Sequence, residues 1–318
     1  MQDTTQTISG KFTGQDILTP EQFTQKDLEI VFKTTDTIKE MVLKNGGSDL
    51  LKGKIMSALF FEPSSRTFGS FVAGMQRLGG GFIPLQDMGQ SSVSKGESLE
   101  DTIKTFSAYS DIIVMRHPEV GSMKRAADAT DLPIINAGEG IGEHPTQALY
   151  DLYTIQEKLK RLDNLHIVFF GELAHYRPVN SLAKLLALFP NIRMSFISPP
   201  EVALNKDTKK YLESKHIDIF ESADIESVIT EADVLYVTRV KKEFMDDNLY
   251  KKIQGKYTVN KKLVSRMKHG SIIMHALPRI DEIATEVDLD KRAVYLTSQI
   301  KNGMYVRMAL LALVLGKI

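Results

Sequence analysis

The chain has no cysteine among its 318 residues. That absence removes disulfides, thiolate catalysis and any cysteine-ligated zinc site together, and nothing requires an oxidising compartment. Charge of one sign is not in excess either, with 40 Lys and Arg against 40 Asp and Glu. A nucleic-acid binder driven by a global basic surplus is therefore not expected, and any anion binding must come from local placement of charge. No apolar run is long enough to span a bilayer, and the longest candidates, such as 308–316, read as buried helix. The first twenty residues are polar and lack a signal-peptide core. The expectation is a cytoplasmic protein without a membrane segment. Internal repeats and low-complexity segments are absent as well.

What is present is ordinary for a globular protein, 42% hydrophobic and 25% charged. The length suggests two domains of about 150 residues each. Short β-rich runs at 54–61, 81–85, 111–116 and 132–138 alternate with helical patterns. A second series follows at 165–171, 192–199, 216–220, 233–239 and 271–278. Between them, 144–162 reads as one amphipathic helix with Ala148, Leu149, Leu152, Tyr153 and Ile155 on a single face. Strand–helix alternation of this kind predicts an α/β fold. The expected architecture is two doubly wound domains, each a parallel sheet flanked by helices, joined by a long interdomain helix. The first domain would be 1–150 with a final helix from about 303 to 318, and the second 151–302.

The chemistry-bearing residues fall where strands end. Glu62, Pro63, Ser64, Ser65, Arg66 and Thr67 lie between a strand and a helix, where two hydroxyls, a guanidinium and free backbone N–H groups suit an oxyanion. A plain helix cap accounts for the same residues. Arg116 closes the third strand, and could clamp the same anion or form a surface ion pair. The 91–97 loop, with Ser91 and Lys95, has the make-up of a ligand-contacting loop or of a solvated connection. His144 precedes Pro145 at a helix start, where the dipole favours a neutral, hydrogen-bond-donating imidazole. In the second series, Arg177 precedes a helix near Pro178, Arg239 follows one strand and Arg279 another. These strand ends place two or three arginines on one edge, as a dianionic small molecule would need. The G-x-G-x-x-G dinucleotide fingerprint is missing around Gly171.

Taken together, these segments resemble the aspartate and ornithine carbamoyltransferase family in collinear order over nearly the whole chain. The family's S-T-R-T-R appears as Ser64, Ser65, Arg66, Thr67 and Phe68; R-H-P stands at Arg116, His117 and Pro118; H-P-T-Q stands at His144, Pro145, Thr146 and Gln147. The aspartate branch is favoured over the ornithine branch. H-P-T-Q replaces H-P-C-Q, no H-C-L-P cysteine occurs, and 275–283 reads H-A-L-P-R-I-D-E-I.

The resemblance implies roles position by position. Ser64, Ser65, Arg66 and Thr67 would hold the phosphate of carbamoyl phosphate, and Arg116, His144 and Gln147 its carbamoyl end. Ser91 and Lys95 would reach into a neighbouring subunit's site, making the protein a homotrimer with shared active sites. Arg177 and Arg239 would bind the carboxylates of L-aspartate, with Lys241 beside them, and the carbonyls around Leu277 and Pro278 would orient the amine. Arg66, Thr67, Lys95, Arg116 and His144 would form the catalytic set. No metal or organic cofactor is implied, and regulatory chains are left open as further partners.

Some positions depart from the family pattern. Phe68 and Val72 stand where it has arginine and glutamate, which reads as an ion pair exchanged for an apolar contact. Lys241 replaces glutamine, Phe244 arginine and Ala276 proline. These last changes fall in the amino-acid half. A carbamoyltransferase for another amine and a catalytically silent homologue are the rival readings, with a nucleotide-dependent dehydrogenase a distant third.

Overall fold

The computed structural model describes residues 8–86, 95–240, 247–253 and 255–318. They form two compact units, one of residues 1–150 with 302–318 and one of 151–301.

The first unit opens with a helix that the alternation reading passes over, α1 (Gln25–Asn45). Its signals are local. The Thr24 hydroxyl accepts from the Asp27 N–H, the Asp27 carboxylate accepts from the Thr24 N–H at 2.8 Å, and Gly46 ends the helix at φ 78°. Leu28, Val31, Phe32, Thr35, Ile38 and Val42 are its buried stripe. Then come β1 (Ile55–Phe60), α2 (Ser65–Arg77), β2 (Gly81–Leu85), α3 (Leu99–Ser107), β3 (Ile112–His117), α4 (Ser122–Asp128) and β4 (Ile134–Glu139). The four strands are parallel in the order β2-β1-β3-β4. Met56, Ala58, Leu59, Ile112, Ile113, Val114 and Met115 are fully buried, which explains why the central strands read as continuous apolar runs rather than alternating ones.

The helix α5 (Pro145–Leu159) carries the boundary between the units. The second unit continues with β5 (His166–Phe170), α6 (Arg177–Leu186), β6 (Arg193–Ile197), α7 (Lys206–Ser214), β7 (Asp218–Ser222), β8 (Val234–Val237), α8 (Asp247–Ile253), α9 (Lys261–Val264) and β9 (Ile272–His275). Its five parallel strands run β7-β6-β5-β8-β9. Val168, Phe170, Leu235, Val237, Ile273 and Tyr295 share one buried cluster.

The last helix, α10 (Ser298–Val314), starts five residues before the expected position near 303. A mid-helix glycine, Gly303, costs about 1 kcal/mol against alanine and hides the continuity of the pattern. Among the described residues no helix is long and apolar enough to cross a membrane.

Candidate active site

Parallel open sheets bind ligands outside the carboxyl ends of their strands, at the point where strand order reverses. In the first unit that point lies between β1 and β3. Phe60 pairs with Arg116 in register, and the Phe61 N–H donates to the Arg116 carbonyl at 2.8 Å. Residues 62–67 and Arg116 therefore leave the sheet side by side.

Ser64 occupies the N-cap of α2, yet its side chain makes no capping hydrogen bond. The plain-cap explanation of this serine thus fails, and its hydroxyl is not spent on the helix. Thr67 is buried, while Ser65 and Arg66 are exposed at the same helix start, where the dipole favours an anion. The Arg116 guanidinium pairs with the Glu62 carboxylate. Sequence reasoning placed Glu62 at the head of the 62–67 run without this pairing to Arg116. His117 is structural: burial lowers its pKa, its Nδ1 accepts the Glu119 N–H at 3.1 Å, and its ring lies 4.8 Å from that of Phe61.

The approach to α5 is fixed by backbone contacts. Gly140, at φ 44°, donates its N–H to the His117 carbonyl at 2.9 Å, and a Cβ there would stand 2.7 Å from the Pro118 carbonyl oxygen. The loop after Arg116 and the loop before His144 are thereby joined. The His144 carbonyl accepts the Gln147 N–H at 3.0 Å and the Ala148 N–H at 3.2 Å, so His144 is the cap of α5 through its backbone. His144 and Gln147 are both buried.

In the second unit the reversal lies between β5 and β8. Phe170 pairs with Val237, and the Phe170 carbonyl accepts both the N–H (2.9 Å) and the hydroxyl (3.1 Å) of Thr238. Gly171 sits at φ 123°, where a Cβ would be 2.5 Å from Thr238 Oγ1. Arg177 opens α6, one residue earlier than expected, and is buried; Arg239 follows Thr238 and is half-buried.

The third arginine of that edge is otherwise engaged. Arg279 is paired with Asp288, which also accepts from the Tyr295 hydroxyl. Burial, followed by that contact with Asp288, raises the tyrosine's pKa. Arg177 and Arg239 are the other two arginines of that edge, at the start of α6 and after β8.

The loop after β9 is shaped by a histidine. The Leu277 N–H donates to His275 Nδ1 at 2.7 Å, so the imidazole proton resides on Nε2, 2.7 Å from Glu282 Oε1. The other Glu282 oxygen accepts the Ile280 and Asp281 N–H groups at 2.9 and 3.1 Å. Burial opposes ionisation of Glu282, but the His275 hydrogen bond and the backbone donors outweigh it and hold its pKa below the ordinary value. This staple keeps Leu277 in the left-handed region at φ 54°. Behind it, the His275 N–H donates to Gln299 Oε1 at 3.1 Å, and Gln299 and Tyr236 both donate to the buried Asp151, at 2.7 and 2.8 Å.

Lys95 is exposed just before α3. Ser91, Lys241 and Phe244 lie outside the described residues. The Phe68 ring meets Phe60 edge-on with centroids 5.3 Å apart, an apolar contact with β1.

Both units match known proteins. Residues 15–157 match the aspartate/ornithine carbamoyltransferase carbamoyl-P binding domain, and residues 163–314 the Asp/Orn binding domain of the same family. The chain is 43% identical over 311 residues to aspartate carbamoyltransferase 1, chloroplastic, of Pisum sativum, covering 97% of this chain and 80% of that protein. It is 43% identical over 307 residues to the aspartate carbamoyltransferase catalytic subunit of Thermococcus onnurineus, covering 96% and 98%. The crystal structure of Trypanosoma cruzi aspartate transcarbamoylase in complex with carbamoyl phosphate and aspartate superposes with a TM-score of 0.91 at 38% identity, covering 96% of this chain and 98% of that one. With matches of this extent over both units, the chain belongs to the aspartate/ornithine carbamoyltransferase family.

Proposed function

We propose that the chain transfers the carbamoyl group of carbamoyl phosphate to the amine of L-aspartate, giving N-carbamoyl-L-aspartate and phosphate, an early step of pyrimidine synthesis. The observation that carries this reading is the pair of strand-order reversals with complementary chemistry. One presents a hydroxyl-rich helix start with Arg66 and Arg116, suited to a phosphate. The other presents Arg177 and Arg239, suited to two carboxylates. The T. cruzi enzyme has been crystallised with both substrates and with N-(phosphonacetyl)-L-aspartic acid, which supports the same pairing here.

In this reading Ser64, Ser65, Arg66 and Thr67 hold the phosphate, with Ser91 and Lys95 closing over it from a neighbouring chain. Arg116, His144 and Gln147 hold the carbamoyl group. Arg177 and Arg239 take the aspartate carboxylates beside Lys241, and the carbonyls near Leu277 and Pro278 orient the amine. The neutral amine attacks the carbamoyl carbon, and the carbonyl oxygen becomes an oxyanion that meets donors from Arg116, His144 and Thr67. Collapse breaks the C–O bond to phosphate, whose charge is met by Arg66 and Lys95. The departing phosphate oxygen takes the amine proton. Catalysis is largely positioning, with carbamoyl phosphate binding first.

A homotrimer with shared sites is part of the proposal. Its support is the edge strand β2, which leaves Phe82, Ile83 and Leu85 only half-buried. A cytoplasmic place of action belongs to the proposal too, although some relatives are named as chloroplastic.

A different amine acceptor is the second reading, favoured by Lys241, Phe244 and Ala276 in the amino-acid half. Phosphate release from carbamoyl phosphate with a panel of amines separates the two. Release with aspartate, coupled to carbamoyl-aspartate, is expected; release with ornithine or putrescine and none with aspartate would remove the substrate assignment.

A further inference from the structure

Arg307 has no place in the chemistry above, yet it is 3% exposed. A buried guanidinium is costly unless its surroundings are built for it. Here they are. Its Cζ lies 5.1 Å from the Phe71 ring centroid and 5.1 Å from that of Tyr150. Its Nη1 donates to Ser70 Oγ at 2.5 Å, and Ser70 Oγ donates in turn to the Thr67 carbonyl at 2.9 Å. Two glycines make the room. A Cβ on Gly303, one turn before Arg307, would stand 3.3 Å from the Tyr150 ring. A Cβ on Gly74 would stand 3.0 Å from Met308, where α2 and α10 approach.

These contacts reach two helices at equivalent places. Ser70 and Phe71 lie one turn beyond Thr67 on α2, and Tyr150 lies one turn beyond Gln147 on α5. Both helix starts carry the anion-binding motifs. We propose that Arg307 is a positioning residue that sets the starts of α2 and α5 in register with each other, so that both meet one carbamoyl phosphate. The proposal rests on the carbamoyl-phosphate reading of the first unit. A planar guanidinium suits the task because it stacks on two ring faces while donating in its plane, which a lysine ammonium cannot do.

The test uses the full chain with Arg307→Lys and Ser70→Ala, reading the Kd of inorganic phosphate by calorimetry, the KM of both substrates and the thermal melt. Arg307→Lys is expected to raise the phosphate Kd and the carbamoyl phosphate KM about five- to tenfold, and Ser70→Ala about threefold. The aspartate KM, taken at saturating carbamoyl phosphate, is expected to stay within about twofold, because the second unit is untouched. Cooperative melts with phosphate Kd unchanged in both variants would overturn the proposal. So would parallel rises in both KM values, which mark general damage. If Arg307→Lys fails to fold, Ser70→Ala decides by the same criteria. A wild-type chain that neither binds phosphate nor consumes carbamoyl phosphate would instead overturn the underlying reading, and the proposal with it.

Discussion

At the scale of single residues, this chain divides into side chains whose chemistry shows in their type and those whose role depends on a distant contact. Ser64, Arg66, Arg116, His144, Arg177 and Arg239 were legible as candidates because hydroxyls, guanidinium groups and an imidazole at strand ends and helix starts suit an anion. Glu62, Glu282 and Arg307 were not. The hydrogen bond from Arg307 to Ser70 spans 237 positions, and no local pattern announces it. Arg279 has the type and place of the anion edge, and its pairing with Asp288 was equally unannounced. His275 gives a direct prediction. Replacing it with alanine strands the Leu277 N–H and removes the donor to a buried carboxylate, costing about 3–5 kcal/mol. Urea unfolding of the variant measures this, and a loss below about 1 kcal/mol would mean that the staple is not a supporting contact.

At the scale of elements, the strands were easy to read and the helices less so. Buried parallel strands announce themselves as apolar runs, whereas α1 and the short α4 carry one apolar face among many polar residues. The start of α10 was misplaced because a glycine stands inside it. Gly171 is an element-level device, since its φ of 123° lets β5 and the Thr238 end of β8 come together. Gly171→Ala is expected to lose about 2–4 kcal/mol and to weaken aspartate binding more than phosphate binding. A melt and the two affinities check it.

The loop after β9 has a pH signature. The pKa of Glu282 is lower folded than its ordinary value of 4.5, so its stabilising contribution is complete above that pH and is lost as pH falls through the folded value. Stability should fall below about pH 4.5, and Glu282→Gln should flatten that acid limb. An unchanged slope in the variant would show that other carboxylates govern it.

At the scale of the whole molecule, the two-sheet architecture followed from the alternation of patterns, because βαβ units leave few other arrangements. The proposed sharing of sites between chains is the step that needs an assembly. Co-expressing Lys95→Ala with His144→Ala should restore activity that neither variant has alone, since some sites in mixed trimers would combine intact residues from two chains. No recovery, in mixtures shown by mass to be mixed trimers, would place Lys95 in its own chain's site.

The central claim is that one phosphate site and one dicarboxylate site act on a single reaction. A phosphonate joined to aspartate engages both at once. The account predicts inhibition competitive with carbamoyl phosphate, with an affinity far tighter than either substrate shows alone. An enzyme that turns over carbamoyl phosphate but binds this molecule no better than inorganic phosphate would contradict it.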